Sequence, residues 1–375
     1  MTSTLATARL VVVKVGSALL VDQETGALKR DWLKSLSADI ADLKRRGKDV
    51  IVVSSGAIAL GRRVLGLKSG TLRLEESQAA AAAGQVKLAE GWADTLAAED
   101  IVAAQVLLTL ADTEERRQYL NARATLRTLL SLGAVPVINE NDTVATQEIR
   151  FGDNDRLSAR VASMMAADLL ILLSDVDGFY SADPLRVQGA THMADVAAIT
   201  PEIEAMASEA VSGVGRGGMA AKLVAAKIAT SAGANVVVTL GTVDRPIAAL
   251  AGGGRSTLFR ANGTPQAARK RWIAGGLRPQ GTLIIDEGAV KALAEGRSLL
   301  PAGVRAIEGR FARGDAVVVR DLAGNEVARG LAAYGAADAD RIKGKRSLEI
   351  EGILGYRGRD EIVHRDDLAL TRGPK

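Results

Sequence analysis

Apolar and polar positions alternate along the first two-thirds of the chain in blocks of two kinds. Leu10-Val11-Val12-Val13-Lys14-Val15 is a short β-branched run ended by Gly16. Trp32, Leu33, Leu36, Ile40 and Leu43 then recur at helical spacing, and Gly47 follows as a stop. Val50–Val53 is a second buried-type strand, Ile101–Leu108 a third, Val135–Ile138 a fourth, Leu169–Leu173 a fifth and Asn235–Leu240 a sixth. Helical patterns lie between them over Thr113–Leu132, Leu157–Met165 and Met219–Ser231, and the Ala79–Ala83 run reads as a close-packed helix. Continuous apolar strands alternating with amphipathic helices predict an α/β fold, an open, mostly parallel sheet sandwiched by helices. In such sheets ligands sit at the carboxyl ends of the strands, where Ser54-Ser55-Gly56, Asn139–Asp142 and Ser174-Asp175 all fall.

The texture changes near residue 262. Asn262-Gly263-Thr264-Pro265 and Gly275–Pro279 bracket a basic stretch, Arg269-Lys270-Arg271-Trp272. Beyond it come short glycine-punctuated segments at 281–286, 311–319 and 354–356, the pattern of a small, mainly β domain. The expected layout is a first domain over 1–262, a linker over 263–280 and a second domain over 281–375.

Composition narrows the class. The 375 residues exceed one ordinary domain, and 47% hydrophobic with 25% charged residues is a globular balance. Aromatics make up only 3%, so the cores must be built from Ala, Val, Leu and Ile. The net charge of +4 is too mild to predict nucleic-acid binding by itself. Cysteine is absent, which excludes disulfides and thiolate metal sites. The opening residues lack the pattern of a signal peptide, and no apolar run approaches a membrane span, so a cytoplasmic location is expected.

The candidate chemistry is concentrated between Ile138 and Ala159, in two Asn-Asp clusters, Asn139-Glu140-Asn141-Asp142 and Gly152-Asp153-Asn154-Asp155. Two solvated turns are one reading of them; a site for amino groups, carboxylates, lysines or a metal is the other. Lys14 interrupts an apolar strand just before Gly16-Ser17, as a snorkelling lysine would, or as a point charge for phosphate would. Gly213–Lys222 is a glycine-rich turn opening a helix, able to offer backbone N–H groups to an anion, and Lys222 lies about one turn in. It is not a P-loop. Ser54-Ser55-Gly56-Ala57 can present a hydroxyl and N–H groups to a carboxylate, or serve as a helix cap. With only His192 and His364 in unremarkable contexts, a Ser-His-Asp hydrolase and a His-rich metal site are both disfavoured.

Taken in order, Val13-Lys14-Val15-Gly16-Ser17, Val53–Ala59, Leu120-Asn121-Ala122-Arg123, Pro136–Asp142, Gly152–Asp155, Ser174–Tyr180 with Asp183-Pro184, and Gly217–Lys222 resemble the amino acid kinase family, in its glutamate-phosphorylating branch. The segments Asp286–Ala289, Ser298–Gly303 and Ile353–Tyr356 resemble a PUA domain. The resemblance implies ATP-dependent phosphorylation of the γ-carboxylate of L-glutamate to L-glutamyl 5-phosphate, the first step of proline biosynthesis, with feedback inhibition by proline. It implies Lys14, Lys222, Asp153 and Asp155 as catalytic and Ser55, Gly56, Asn139, Asp142 and Asn154 as acceptor-binding. For the nucleotide it implies Lys14, Ser174, Asp175, Arg216, Gly217, Gly218, Met219, Ala220, Ala221 and Lys222. The Mg²⁺ would be carried by the ATP phosphates, with no protein metal site. A homo-oligomer, either dimer or tetramer, and a glutamyl phosphate reductase as partner are further implications. Ser54 and Ser174 stand where the family often has threonine, and Ala220-Ala221 where it more usually has hydroxyls.

Two rivals remain at this point. Kinases of acetylglutamate, aspartate or nucleoside monophosphates share the Lys14 region and the layout, but not usually the paired clusters or a PUA-like tail. An RNA-binding or RNA-modifying protein would account for the tail, the basic linker and a pI near 9.3. Tyr334 and Tyr356 are isolated, which fits core or edge positions better than a base-stacking platform.

Overall fold

The computed structural model describes residues 2–68, 70–144, 153–182, 184, 187–209, 218–275 and 277–371. They form two compact units, residues 1–265 and 266–375.

The strands of the first unit are β1 (Leu10–Val15), β2 (Asp49–Ser54), β3 (Ala103–Leu108), β4 (Val135–Glu140), β5 (Leu169–Ser174), β6 (Phe179–Tyr180), β7 (His192–Met193), β8 (Asp195–Val196), β9 (Asn235–Leu240) and β10 (Ser256–Phe259). Eight of them make one sheet in the order β3-β4-β2-β1-β5-β9-β10-β8, and β6 pairs with β7 apart from it. Every pairing from β3 through to β9 is parallel, as the continuous apolar runs predict. The departure lies one strand in from an edge, where β10 runs antiparallel to β9 and the edge strand β8 runs parallel to β10. Ser256–Phe259 is too short and too closely flanked by glycine and arginine to announce itself as a strand. The helices fall close to the expected places, at Arg30–Arg45, Arg116–Ser131, Asp153–Met165 and Gly218–Ser231.

Period-two alternation sorts the central strands onto two faces. Val11, Val13 and Val15 of β1 join one core with Val50, Val52, Leu169, Ile171 and Trp92. Val12 joins the other, with Ile51, Val53, Leu170, Leu172, Leu157, Val161 and Leu223. Lys14 shares the parity of Val12. It therefore faces the layer built by the Asp153–Met165 and Gly218–Ser231 helices, which carry Asp155 and Lys222.

The opposite face is closed by a helix pair. The Leu74–Ala97 helix crosses the Ala57–Val64 helix at backbone contact. A Cβ added at Gly84 would lie 1.8 Å from the Ala57 carbonyl oxygen, and one at Gly61 would lie 1.7 Å from that of Ala80. Neither position admits a side chain without separating the helices.

The second unit holds a five-stranded sheet, β12-β11-β13-β14-β15, from β11 (Gly281–Ile285), β12 (Val304–Gly309), β13 (Ala316–Arg320), β14 (Glu326–Leu331) and β15 (Leu368–Leu370). Leu283, Ile285, Val317, Val319 and Tyr334 lie in its core. Ile350–Leu354 is a short helix rather than a strand, ended by Gly355. Pro265–Gly275 is helical, and its Arg269 is buried against Asp367 at 2.5 Å. That arginine in the basic stretch thus has a structural ion pair.

Gly84→Ala should lower the thermal midpoint of the full chain by at least about 4 °C, the cost of forcing a methyl group between packed backbones. A melt followed by tryptophan fluorescence, which reports on Trp92 in the same helix, checks this.

Candidate functional site

The site begins with a buried charge cluster at the carboxyl end of β1. Lys14 Nζ lies 2.6 Å from Asp155 Oδ1, and Lys222 Nζ lies 3.8 Å from Asp155 Oδ2. Lys14 is 7% exposed, Lys222 8% and Asp155 2%. Lys222 also donates to the Gly218 carbonyl oxygen at 3.2 Å. Its pKa is held below the ordinary lysine value, first by burial and then by the Lys14 charge, against the opposing pull of Asp155 and Asp175. Two ammonium groups share one buried carboxylate in a dry setting, so cationic charge is available to an anionic ligand.

Asn154, the neighbour of Asp155, builds a second arrangement. Its Nδ2 donates to Ser55 Oγ at 2.9 Å and to Asn139 Oδ1 at 3.3 Å, and Asn139 Nδ2 donates to Gln85 Oε1 at 2.7 Å. Among the described residues, Asn154 Oδ1 is buried with no hydrogen-bond partner. Ser55 follows β2 directly, and Gly56, with φ of 111°, turns the chain into the next helix in a conformation other residues rarely adopt. The preceding Ser54 is fully buried, and its Oγ accepts from Trp92 Nε1 at 3.0 Å. Asp142 is buried and lines a cavity of about 190 Å³ with Gln85, Gln105, Glu140 and Asn141.

On the other side, Ser174 ends β5 and donates to Asp175 Oδ1 at 3.0 Å, while the Val176 N–H donates to Ser174 Oγ at 3.4 Å. Gly218, Met219, Ala220 and Ala221 form the first turn of the helix that carries Lys222. The structure thus gathers Lys14, Asp155 and Lys222 in one cluster, and Ser55, Asn139 and Asn154 in another. Arg216 and Gly217 lie outside the described residues, as do Asp183 and the side chain of Asp153.

A family model described as the amino acid kinase family matches residues 9–239, and one described as a PUA domain matches residues 281–354. The chain belongs to the amino acid kinase family. A glutamate 5-kinase of Rhizobium rhizogenes (strain K84) is 60% identical over 367 residues, 98% of this chain and 94% of the relative. One of Paramagnetospirillum magneticum (strain AMB-1) is 58% identical over 368 residues, 98% of this chain and 99% of its own length.

Two residues of this amino acid kinase that shape the site, Gln85 and Trp92, were not among the expected ones. Both lie on the Leu74–Ala97 helix, whose alanine-rich sequence carries no motif. The one available signal was a glutamine directly after Gly84 in an otherwise apolar run.

Asp155→Asn should cost about 3–5 kcal/mol of stability at pH 7, because two buried ammonium groups lose their shared counter-charge. The deficit should shrink on the alkaline side. Asp155 opposes the lowering of the Lys222 pKa, so without it the folded pKa falls further below the unfolded one, the unfolded variant binds more protons over a wider range, and its stability rises with pH more than the wild type's. Denaturant titrations of both proteins at pH 7 and pH 9.5 check the sign.

Proposed function

We propose that this chain transfers the γ-phosphoryl group of ATP to the γ-carboxylate of L-glutamate, giving L-glutamyl 5-phosphate, the first step of proline biosynthesis. The observation that carries the reading is the adjacency of Asn154 and Asp155. One reaches the Ser55 and Asn139 side, the other the Lys14 and Lys222 side, so acceptor and phosphate chemistry meet at one helix start. The names of relatives 58–60% identical over 98% of the chain support the same substrate.

A carboxylate nucleophile is already ionised at neutral pH, with an unperturbed pKa of about 4.3, so no general base is required. The obstacle is repulsion between two anions. Lys14 and Lys222 offset it by placing ammonium charge where negative charge develops, at buried positions where that charge is weakly screened. Asp155 holds the two lysines apart and in place. Ser55 donates to an acceptor carboxylate, and Asp142 receives the α-ammonium. Ser174, Asp175 and the first turn from Gly218 face the nucleotide.

The residues fit Mg²⁺ as a passenger of the triphosphate. Asp155 is committed to two lysines and so is not a free ligand for the ion. Bound that way, the ion would neutralise charge on the β- and γ-phosphates.

Proline carries the same α-carboxylate and a cationic nitrogen, so inhibition at or near the glutamate subsite belongs to this reading. So do a homo-oligomeric enzyme, a cytoplasmic location and a reductase that takes up the acyl phosphate. No helix among the described residues is long and apolar enough to cross a membrane.

Lys222→Ala should lower kcat on the order of 10²- to 10³-fold with little change in glutamate KM. Asp142→Ala should chiefly raise the glutamate KM, by about ten- to a hundredfold, the loss of a charge-assisted contact. Hydroxamate formation from glutamate and ATP measures both, and the same pattern in the two variants would refute this division of roles. Activity should also fall at lower pH than an ordinary lysine would dictate, because burial depresses the Lys222 pKa and only the protonated amine serves.

A further inference from the structure

The Leu74–Ala97 helix addresses two strand ends with two polar side chains. Trp92, seven residues beyond Gln85 and so two turns along the same face, donates to Ser54 at the end of β2. Gln85 meets Asn139 near the end of β4. The helix is held at that depth by the Gly84 contact with the Ala57 carbonyl, directly beside Gln85. Its approach to the Ala57–Val64 helix is therefore set by backbone packing, not by the polar contacts.

A primary amide has one accepting and one donating end, so a partner that fixes one end fixes the other. Gln85 Oε1 accepts from Asn139 Nδ2, which turns Asn139 Oδ1 toward Asn154. Asn139 Oδ1 accepts from Asn154 Nδ2, which also donates to Ser55 Oγ. At the end of this series Asn154 Oδ1 is left as a buried acceptor with no hydrogen-bond partner among the described residues. The Ser55 oxygen is already accepting, so its proton is directed elsewhere. Reversing the series would put an NH₂ group where the acceptor now stands.

We infer that Gln85 is a positioning residue that sets the polarity of this amide series, and so makes the site offer one acceptor to an ammonium or N–H and one hydroxyl donor to a carboxylate. The inference rests on the glutamate reading above and adds a specificity determinant to it. The acceptor class it selects is an amino acid with a free amino group beside a carboxylate. Gln85 acts through Asn139 and Asn154.

The test compares Gln85→Met, which keeps the size and removes the acceptor, with Gln85→Glu, which keeps an acceptor and adds charge. Gln85→Met should raise the glutamate KM about five- to tenfold, the loss expected of one hydrogen bond. Its kcat, ATP KM and thermal midpoint should stay near those of the wild type. Gln85→Glu should restore the glutamate KM to within about threefold of the wild type, since a carboxylate accepts from Asn139 as the amide does. Were the Gln85 amide instead touching the substrate carboxylate directly, Gln85→Glu would repel it and be worse than Gln85→Met. That ordering, an unchanged glutamate KM in Gln85→Met, or an equal rise in the ATP KM would each overturn the inference. A wild-type protein inactive with glutamate would instead remove the functional reading on which it rests.

Discussion

One buried carboxylate between two buried ammonium groups is the constraint that the rest of the first unit serves. Taking three charges out of water costs several kcal/mol for each ion, recovered only if they are held at close range. Asp155 meets that condition at the start of one helix, Lys14 on the central strand β1 and Lys222 one turn into another helix. The parity of β1, with Val12 and Lys14 on the same face, brings the three together. A one-residue slip of that strand would send Lys14 to the opposite core, so the charge cluster depends on strand register as much as on helix placement.

The opposite face works by exclusion rather than by charge. Gly61 and Gly84 let two helices touch through their backbones, which brings the longer helix close enough for Trp92 and Gln85 to reach strand ends. The alanine content of that helix has the same origin, because larger side chains would lift it from its neighbour. Packing at one place thereby fixes hydrogen-bond direction at another, without any of the packed residues being polar.

The sheet was legible from sequence because its strands are buried on both faces and read as continuous apolar runs. So were Lys14, Ser55 and Asp155, since a lysine in a β-branched run and acids beyond strand ends are departures from core composition. The antiparallel strand β10 was not, since four residues carry no period. Nor were Gln85 and Trp92 as parts of the site: their significance lies in a helix crossing that no local pattern encodes. Asn139 shows the intermediate case. Sequence placed it among the expected acceptor-binding residues, and in the structure its amide meets Gln85 on one side and Asn154 on the other.

Consecutive residues of a helix point roughly 100° apart, and this geometry explains why a single turn can serve two chemistries. Asn154 and Asp155 face different neighbours while sharing a backbone, so a displacement of that turn moves the acceptor contacts and the lysine contacts together. The two halves of the site cannot be tuned independently by shifting the helix; they can be tuned only through the side chains that meet it. In the proposed reaction the lysines stand on the phosphate side, and their charge would be the chemistry itself. On the proposed acceptor side they are the neutral Ser55 hydroxyl and Asn139 amide, whose hydrogen-bond direction can be set from the far end of the series without touching the charges. Selectivity for the acceptor can therefore change while the transfer machinery stays in place.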